Sequence, residues 1–337
     1  MSGYELLDFG DGYCLERFGR YVLCRPSLSA CGFCRSDVLL WERVDSLFVP
    51  EPVKGRRGVW TVSLDTWQID LGQVMLELRC TPFGHVGFFA EQYLNWLELS
   101  GVISAELFRR DVIKVLNLFA YTGGASIAAA KTPLNTTSSS TPLSTLSKLS
   151  TTSTLSTSSS ATKITTATPQ LSTSSINPTI EFGNSGKRVE VTHVDSAGNI
   201  VEWAKRNVAL SGVSGVRFIV EDVRKFVMRE LRRGNFYDVI IIDPPTYGHG
   251  VKGESWRFAV DLPVLLADIA GLLSEQPALI MLTAHTEGFD PDFLQNILLK
   301  ARIPKSLKLK KFQMQIKTKT GKSLPAGYGI SASIYNS

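Results

Sequence analysis

Cysteine is absent after Cys80 and acidic residues are absent after Asp292, and in a chain of 337 residues each gap excludes something. The five cysteines (Cys14, Cys24, Cys31, Cys34 and Cys80) are odd in number and confined to the first quarter. They form no disulfide framework and suit free thiols in a reducing compartment. Cys31-Gly32-Phe33-Cys34 has the spacing of half a zinc site, but no second pair follows, so no metal is expected. No apolar run approaches the length of about eighteen residues that a membrane span needs. The opening MSGYELLDFGDGYCLERFGR lacks a charged segment followed by an apolar one. The expectation is a soluble protein of the cytoplasm or an organellar matrix, without membrane contact.

The missing acids unbalance the charge. Lys300, Arg302, Lys305, Lys308, Lys310, Lys311, Lys317, Lys319 and Lys322 supply nine positive charges, so a chain of net charge +5 is net negative by four elsewhere. Such a tract attracts phosphate backbones through counterion release, which makes nucleic acid a candidate partner. The alternative is a solvated lysine face.

Before about residue 84 the chain reads as short strands. Aromatic and β-branched residues alternate with polar ones in DFGDGYCLERFGRYVLCRP, GVWTVSLDTWQIDLG and VMLELRCTPFG, with Gly and Pro between them. This predicts a small β-rich module over 1–84. EQYLNWLELSG (91–101) predicts an amphipathic helix ending at Gly101.

From Asp111 strands alternate with helices. IKVLNLFA, VEVTHVD, VRFIVED, YDVIIIDPP and ALIMLTAH are strand candidates, and 196–210 and 223–233 carry helical periodicity. The alternation predicts a parallel, open, doubly wound α/β sheet over 85–337. Residues 131–186 interrupt it with a Ser/Thr-rich, almost uncharged segment, predicted to be a disordered insertion. It enters at the end of a βαβ unit remote from the strands' carboxyl ends, where a sheet tolerates it. A phosphorylated regulatory loop and an inert insertion both fit.

Four features at strand ends carry chemistry. In VLNLFAYTGGAS an apolar strand runs into Gly123-Gly124, where missing Cβ atoms let backbone approach a ligand. Asp195 ends the next strand, at the position from which a carboxylate accepts ribose hydroxyls once the insertion is discounted. Asp222 follows the third strand, placed for an adenine amino group, and a helix cap is its other reading. In IIIDPPTYG, Asp243 ends a buried strand, Pro244 and Pro245 fix the turn, and Tyr247 can stack on a flat base.

Together these residues resemble the class I methyltransferases, and more closely the bacterial large-subunit ribosomal RNA methyltransferases with NLFAYTGG and DPP-x-aromatic motifs. GHVGFFAEQYLNW and LPAGYG are similar to that family's lead-in and closing hairpin. The resemblance implies a Rossmann-like, seven-stranded methyltransferase sheet and S-adenosyl-L-methionine as cofactor. It implies that the cofactor is held by Asn117, Phe119, Ala120, Tyr121, Thr122, Gly123 and Gly124. Asp195 with Ser196, Asp222 with Val223, and Asp243 would complete that pocket. Asp243, Pro244, Pro245 and Tyr247 would serve the transfer, with RNA as substrate. Cytosine-5 relatives carry a cysteine after the fifth strand, needed for addition to C6. Here the stretch reads MLTAHTEG, so the expectation is direct transfer to another acceptor. His249 and His285 follow the fourth and fifth strands and are candidate bases. A small-molecule or protein substrate, or a non-catalytic cofactor-binding scaffold, remain rival readings.

Overall fold

The computed structural model describes residues 2–51, 57–132, 186–249, 253–285 and 289–335. Of the predicted insertion, all but Lys131, Thr132 and Gly186 lies outside the described residues.

The N-terminal strands β1 (Tyr4–Gly10), β2 (Tyr13–Phe18), β3 (Tyr21–Pro26), β4 (Ser46–Pro50) and β5 (Gly58–Trp60) form one sheet in that order. Asp11 and Gly12 close the first hairpin with φ of 53° and 79°, the left-handed turn that Asp-Gly favours. A separate hairpin pairs β6 (Trp67–Asp70) with β7 (Met75–Leu78). Alternation turns Leu6, Phe18 and Leu23 into one apolar cluster and Leu15, with Val22 and Cys24, into a second on the opposite face, all of them buried.

Helix α1 (Tyr93–Leu107) continues past Gly101, against the expected stop. A Cβ at Gly101 would meet nothing within 4 Å, so this glycine rides an open helix face. Its helical cost of about 1 kcal/mol is offset by burial of Val102, Ile103 and Leu107 beyond it.

The larger sheet follows the predicted rhythm. Its units are β8 (Val112–Leu118), α2 (Gly124–Ala130), β9 (Arg188–Asp195), α3 (Gly198–Leu210), β10 (Val216–Val220), α4 (Val223–Arg233) and β11 (Val239–Ile242). A small hairpin of β12 (Tyr247–His249) and β13 (Ser255–Arg257) precedes α5 (Phe258–Ala270). Then come β14 (Leu279–Ala284), α6 (Pro291–Lys300), β15 (Lys308–Lys317) and β16 (Ser323–Ser333).

The seven strands lie in the order β10-β9-β8-β11-β14-β16-β15, with β16 antiparallel to both neighbours. The chain winds outward from β8 to β10 and then returns to β11 on the other side of β8. The crevice outside the carboxyl ends of β8 and β11 is therefore the switch point at which such sheets bind ligands. Strands β8, β11 and β14 are buried on both faces, as apolar runs of this kind require.

The small sheet and the large one share core. Phe18, Phe88, Trp96, Ile127, Val208 and Leu324 belong to a single apolar cluster. The turn between β15 and β16 is fastened to β1 by Lys322. Its Nζ reaches Asp8 Oδ1 at 3.1 Å, the Cys34 carbonyl at 2.6 Å and the Phe9 carbonyl. Among the described residues no helix is long and apolar enough to cross a membrane.

Candidate active site

A cleft of about 1140 Å³ opens at the switch point, between the strand ends of the large sheet and the N-terminal module. The loop after β8 forms its floor. Phe119 and Tyr121 hold left-handed φ of 56° and 49°, and Gly123, at 93°, precedes α2. Two non-glycine residues in that region cost on the order of 1–3 kcal/mol each and persist where surroundings over-determine them. Here the Ala120 N–H donates to the Val194 carbonyl at 3.0 Å and the Tyr121 N–H to Asp195 Oδ2 at 3.0 Å. Thr122 Oγ1 donates to the Gly87 carbonyl at 2.7 Å. Gly124 is required by packing, since a Cβ there would come within 2.2 Å of the Trp96 ring.

Asn117 lies beneath this loop, 2% exposed, with its amide donating to Ser126 Oγ at 2.9 Å. Ser126 in turn meets His193 Nδ1 at 3.0 Å. Burial holds the His193 imidazole down to about 3, so it is neutral. Asn117 also lines the cleft, so the residue that braces the loop from below borders the pocket as well.

Asp195 ends β9 as expected. Its Oδ1 accepts the Ala197 N–H at 2.9 Å while Oδ2 accepts Tyr121, and Ser196 is the residue between. Burial pushes its carboxyl above the usual range against the opposing pull of those backbone donors. A carboxylate offers about four lone-pair sites, which leaves room for a hydroxyl donor. Asp222 caps α4 through the N–H groups of Arg224 at 3.0 Å and Lys225 at 3.2 Å, so the capping reading holds. It also lines the cleft with Val223, so one carboxylate can fill both roles.

Asp243 follows β11 and is gripped from three sides. Thr283 Oγ1 donates to Oδ1 at 2.5 Å, His285 Nε2 stands 3.2 Å from the same oxygen, and Gln92 Nε2 donates to Oδ2 at 2.9 Å. Burial pushes its carboxyl up, but the His285 charge and these three hydrogen bonds outweigh that and hold it below the ordinary range. The Pro245 carbonyl accepts Trp256 Nε1 at 2.7 Å, which ties the Pro-Pro turn to the β12–β13 hairpin. Tyr247 is 66% exposed at the cleft mouth, and His249 ends the same strand.

Sequence reasoning gave no role to Gln92 or Thr283. Gln92 lies 151 positions before Asp243, and only the fold brings them together. Cys14 also lines the cleft, from the N-terminal module, but burial pushes its thiol up to about 12. That keeps it from serving as a thiolate nucleophile at neutral pH. Among the described residues no group of three His, Cys, Asp or Glu side chains could hold a metal ion.

In fold, and in the placing of a glycine turn and three carboxylates at successive strand ends, the chain resembles the class I S-adenosylmethionine-dependent methyltransferases. No family model matches the chain. It is 34% identical over 98 residues to a ribosomal RNA large subunit methyltransferase K/L of Shewanella frigidimarina, covering 28% of this chain and 14% of that one. It is 33% identical over 113 residues to the protein of the same name from Alteromonas mediterranea, covering 33% and 16%. The matched stretch thus spans less than a fifth of these curated relatives. The structure is similar to that of a SAM-dependent methyltransferase from Agrobacterium tumefaciens, with TM-score 0.76, 26% identity and coverage of 99% of this chain and 91% of that one. A Streptococcus mutans protein described as a SAM-dependent methyltransferase shares the fold, with TM-score 0.62, 15% identity and coverage of 98% and 75%.

Proposed function

We propose that this protein transfers a methyl group from S-adenosylmethionine to RNA, of the kind the curated relatives are named for, by direct displacement and without a cysteine nucleophile. The observation that carries this is the joined unit of Asp195 and the loop from Phe119 to Gly124. A strained backbone, a glycine turn and a half-buried carboxylate with room for hydroxyl donors are assembled at the switch point. These groups fit the adenosine portion of the cofactor: Asp195 for the ribose hydroxyls, Asp222 and Val223 for the adenine edge, Phe119 to Gly124 for the chain beneath.

The cofactor supplies an electrophilic methyl carried on a sulfonium. The protein's part is to bind, align and exclude water. Asp243, held ionised at the end of β11, and the rigid Pro244-Pro245 turn aim the acceptor, and the exposed Tyr247 ring is placed to stack on a base. The exposed Lys305, Lys308 and Lys317 are candidates for phosphate contact outside the cleft.

A small-molecule or protein substrate draws support from one observation: part of the basic tract is already engaged. Lys310 pairs with Glu98 at 3.3 Å, Lys311 with Asp292 at 2.6 Å, Lys319 with Glu5 at 2.9 Å and Lys322 with Asp8 at 3.1 Å. Incubation with methyl-tritiated S-adenosylmethionine and unmethylated large-subunit RNA separates the readings. Label entering RNA in a salt-sensitive manner supports the RNA reading, and label entering only a protein or metabolite fraction refutes it.

A further inference from the structure

His285 directly follows the fifth parallel strand, β14, and stands between two carboxylates from distant parts of the chain. Its Nε2 lies 3.2 Å from Asp243 Oδ1, after β11. Its Nδ1 lies 3.0 Å from the Ala326 carbonyl on β16 and 3.5 Å from Glu91 Oε1, in the turn before α1. All three partners are acceptors, so each ring nitrogen needs a hydrogen to be satisfied, and an imidazole carrying both hydrogens is a cation.

The Gln92 amide nitrogen, itself a donor, stands 3.3 Å from Nε2. Its hydrogens are directed to Asp243 Oδ2 at 2.9 Å and Thr283 Oγ1 at 3.2 Å, so it asks for no acceptor on the ring. Its orientation is fixed from behind, because Asn95 Nδ2 donates to Gln92 Oε1 at 2.7 Å. The Phe89 ring, with its centre 6.3 Å from that of the imidazole, adds a tilted aromatic neighbour and no charge.

We propose that His285 is a positioning residue: a resident cation clamped between Asp243 and Glu91 that keeps the Asp243 carboxylate ionised and fixed at the methyl-transfer end of the cleft. The geometry stands by itself, while the consequence for transfer rests on the proposed methyltransferase activity. Without the cation, two partly buried carboxylates would stand at one end of the cleft, and Glu91, whose carboxyl burial already raises, would take up a proton. A ring bonded in this way has no lone pair to offer a substrate, so His285 is not the resting general base. The electrostatics follow the geometry. Burial draws the imidazole down, but Asp243 and then Glu91 push it further up, to about 9.

The test is a proton–carbon NMR titration of the full chain with ring-labelled histidine, the His285 signal being identified by its loss in His285→Gln. The wild type is expected to titrate near pH 9, and Asp243→Asn to bring the midpoint down towards the ordinary histidine value of about 6.5. A wild-type midpoint near 6.5, or one indifferent to Asp243→Asn, overturns the clamp. Should Asp243→Asn fail to fold, Glu91→Gln gives the same test with a smaller expected fall. With tritiated S-adenosylmethionine and large-subunit RNA, His285→Gln is expected to lower kcat about 100-fold, as misplacement of a reacting group does, with little change in cofactor KM. An unchanged kcat overturns the positioning role. If the wild type methylates no RNA, the substrate reading fails, and the titration still decides the clamp.

Discussion

The carboxylate of Asp195 and the backbone N–H of Tyr121 meet at 3.0 Å, which binds the end of β9 to the loop after β8. The same carboxylate that would take the ribose also holds the left-handed turn of the loop that would take the rest of the cofactor. Asp195→Asn replaces one accepting oxygen by a donor and leaves a backbone N–H facing it. The variant should lose about 1–3 kcal/mol of stability before any cofactor is added. Chemical unfolding of the cofactor-free protein measures this.

Gly124 meets its helix partner without a Cβ, and an added methyl would stand 2.2 Å from Trp96. Gly124→Ala should therefore destabilise by about 1–3 kcal/mol, the range for overpacking. Because Gly124 opens α2 beneath the cleft, cofactor affinity should fall as well. Gly101→Ala, on the open face of α1, should instead be neutral or slightly stabilising. Thermal unfolding of the two variants side by side separates a packing glycine from an incidental one.

The lysines of the C-terminal tract should divide into two kinds. Asp8 is buried, its side chain 2% exposed, and Lys322→Met would leave it only neutral donors, among them Ser36 N–H at 2.8 Å and Trp41 Nε1 at 2.9 Å, so the variant should cost about 1–3 kcal/mol. Lys308→Gln removes an exposed charge. It should leave stability nearly unchanged and flatten the salt dependence of RNA binding by about one counterion in the log–log slope. Equal effects on RNA binding from both variants, after correction for unfolding, would contradict the division.

Two histidines should give stability a maximum near neutrality. His285 is raised from 6.5 to about 9, so its contribution is full below pH 6.5 and is lost as pH rises through 9. His193 is lowered from 6.5 to about 3, because burial disfavours its charged form. Its contribution is full above 6.5 and declines as pH falls towards 3, where the unfolded chain takes the proton first. Melting temperatures across this range should fall on both sides, with His285→Gln flattening the alkaline limb and His193→Gln the acid limb.

Local pattern carried much of the larger sheet. The apolar runs that became β8, β9, β10, β11 and β14 each end on a turn or a carboxylate, so Asp195, Asp222 and Asp243 were legible as strand-end residues. Helix α4 occupies the stretch that its periodicity marked, because Asp222 caps one end and Gly234, in the left-handed region, closes the other. Gly101 misled because a helix end and an exposed helix interior look alike until burial is known. His285 was legible near Asp243 because the fourth and fifth strands are neighbours, but the rest of the grip was out of reach: Gln92 and Thr283 meet Asp243 across 151 and 40 positions, and no local spacing encodes that meeting. Nor did composition reveal that Lys322 would be withdrawn from the basic tract to hold the N-terminal module in place.

The most direct measurement is isothermal titration of the full chain with S-adenosylmethionine, run in parallel with Asp195→Ala. The structure predicts saturable micromolar binding by the wild type at one site, lost in a variant whose far-ultraviolet circular dichroism still reports a folded protein. No binding by a folded wild type, or equal binding by folded Asp195→Ala, would contradict the proposed cofactor site.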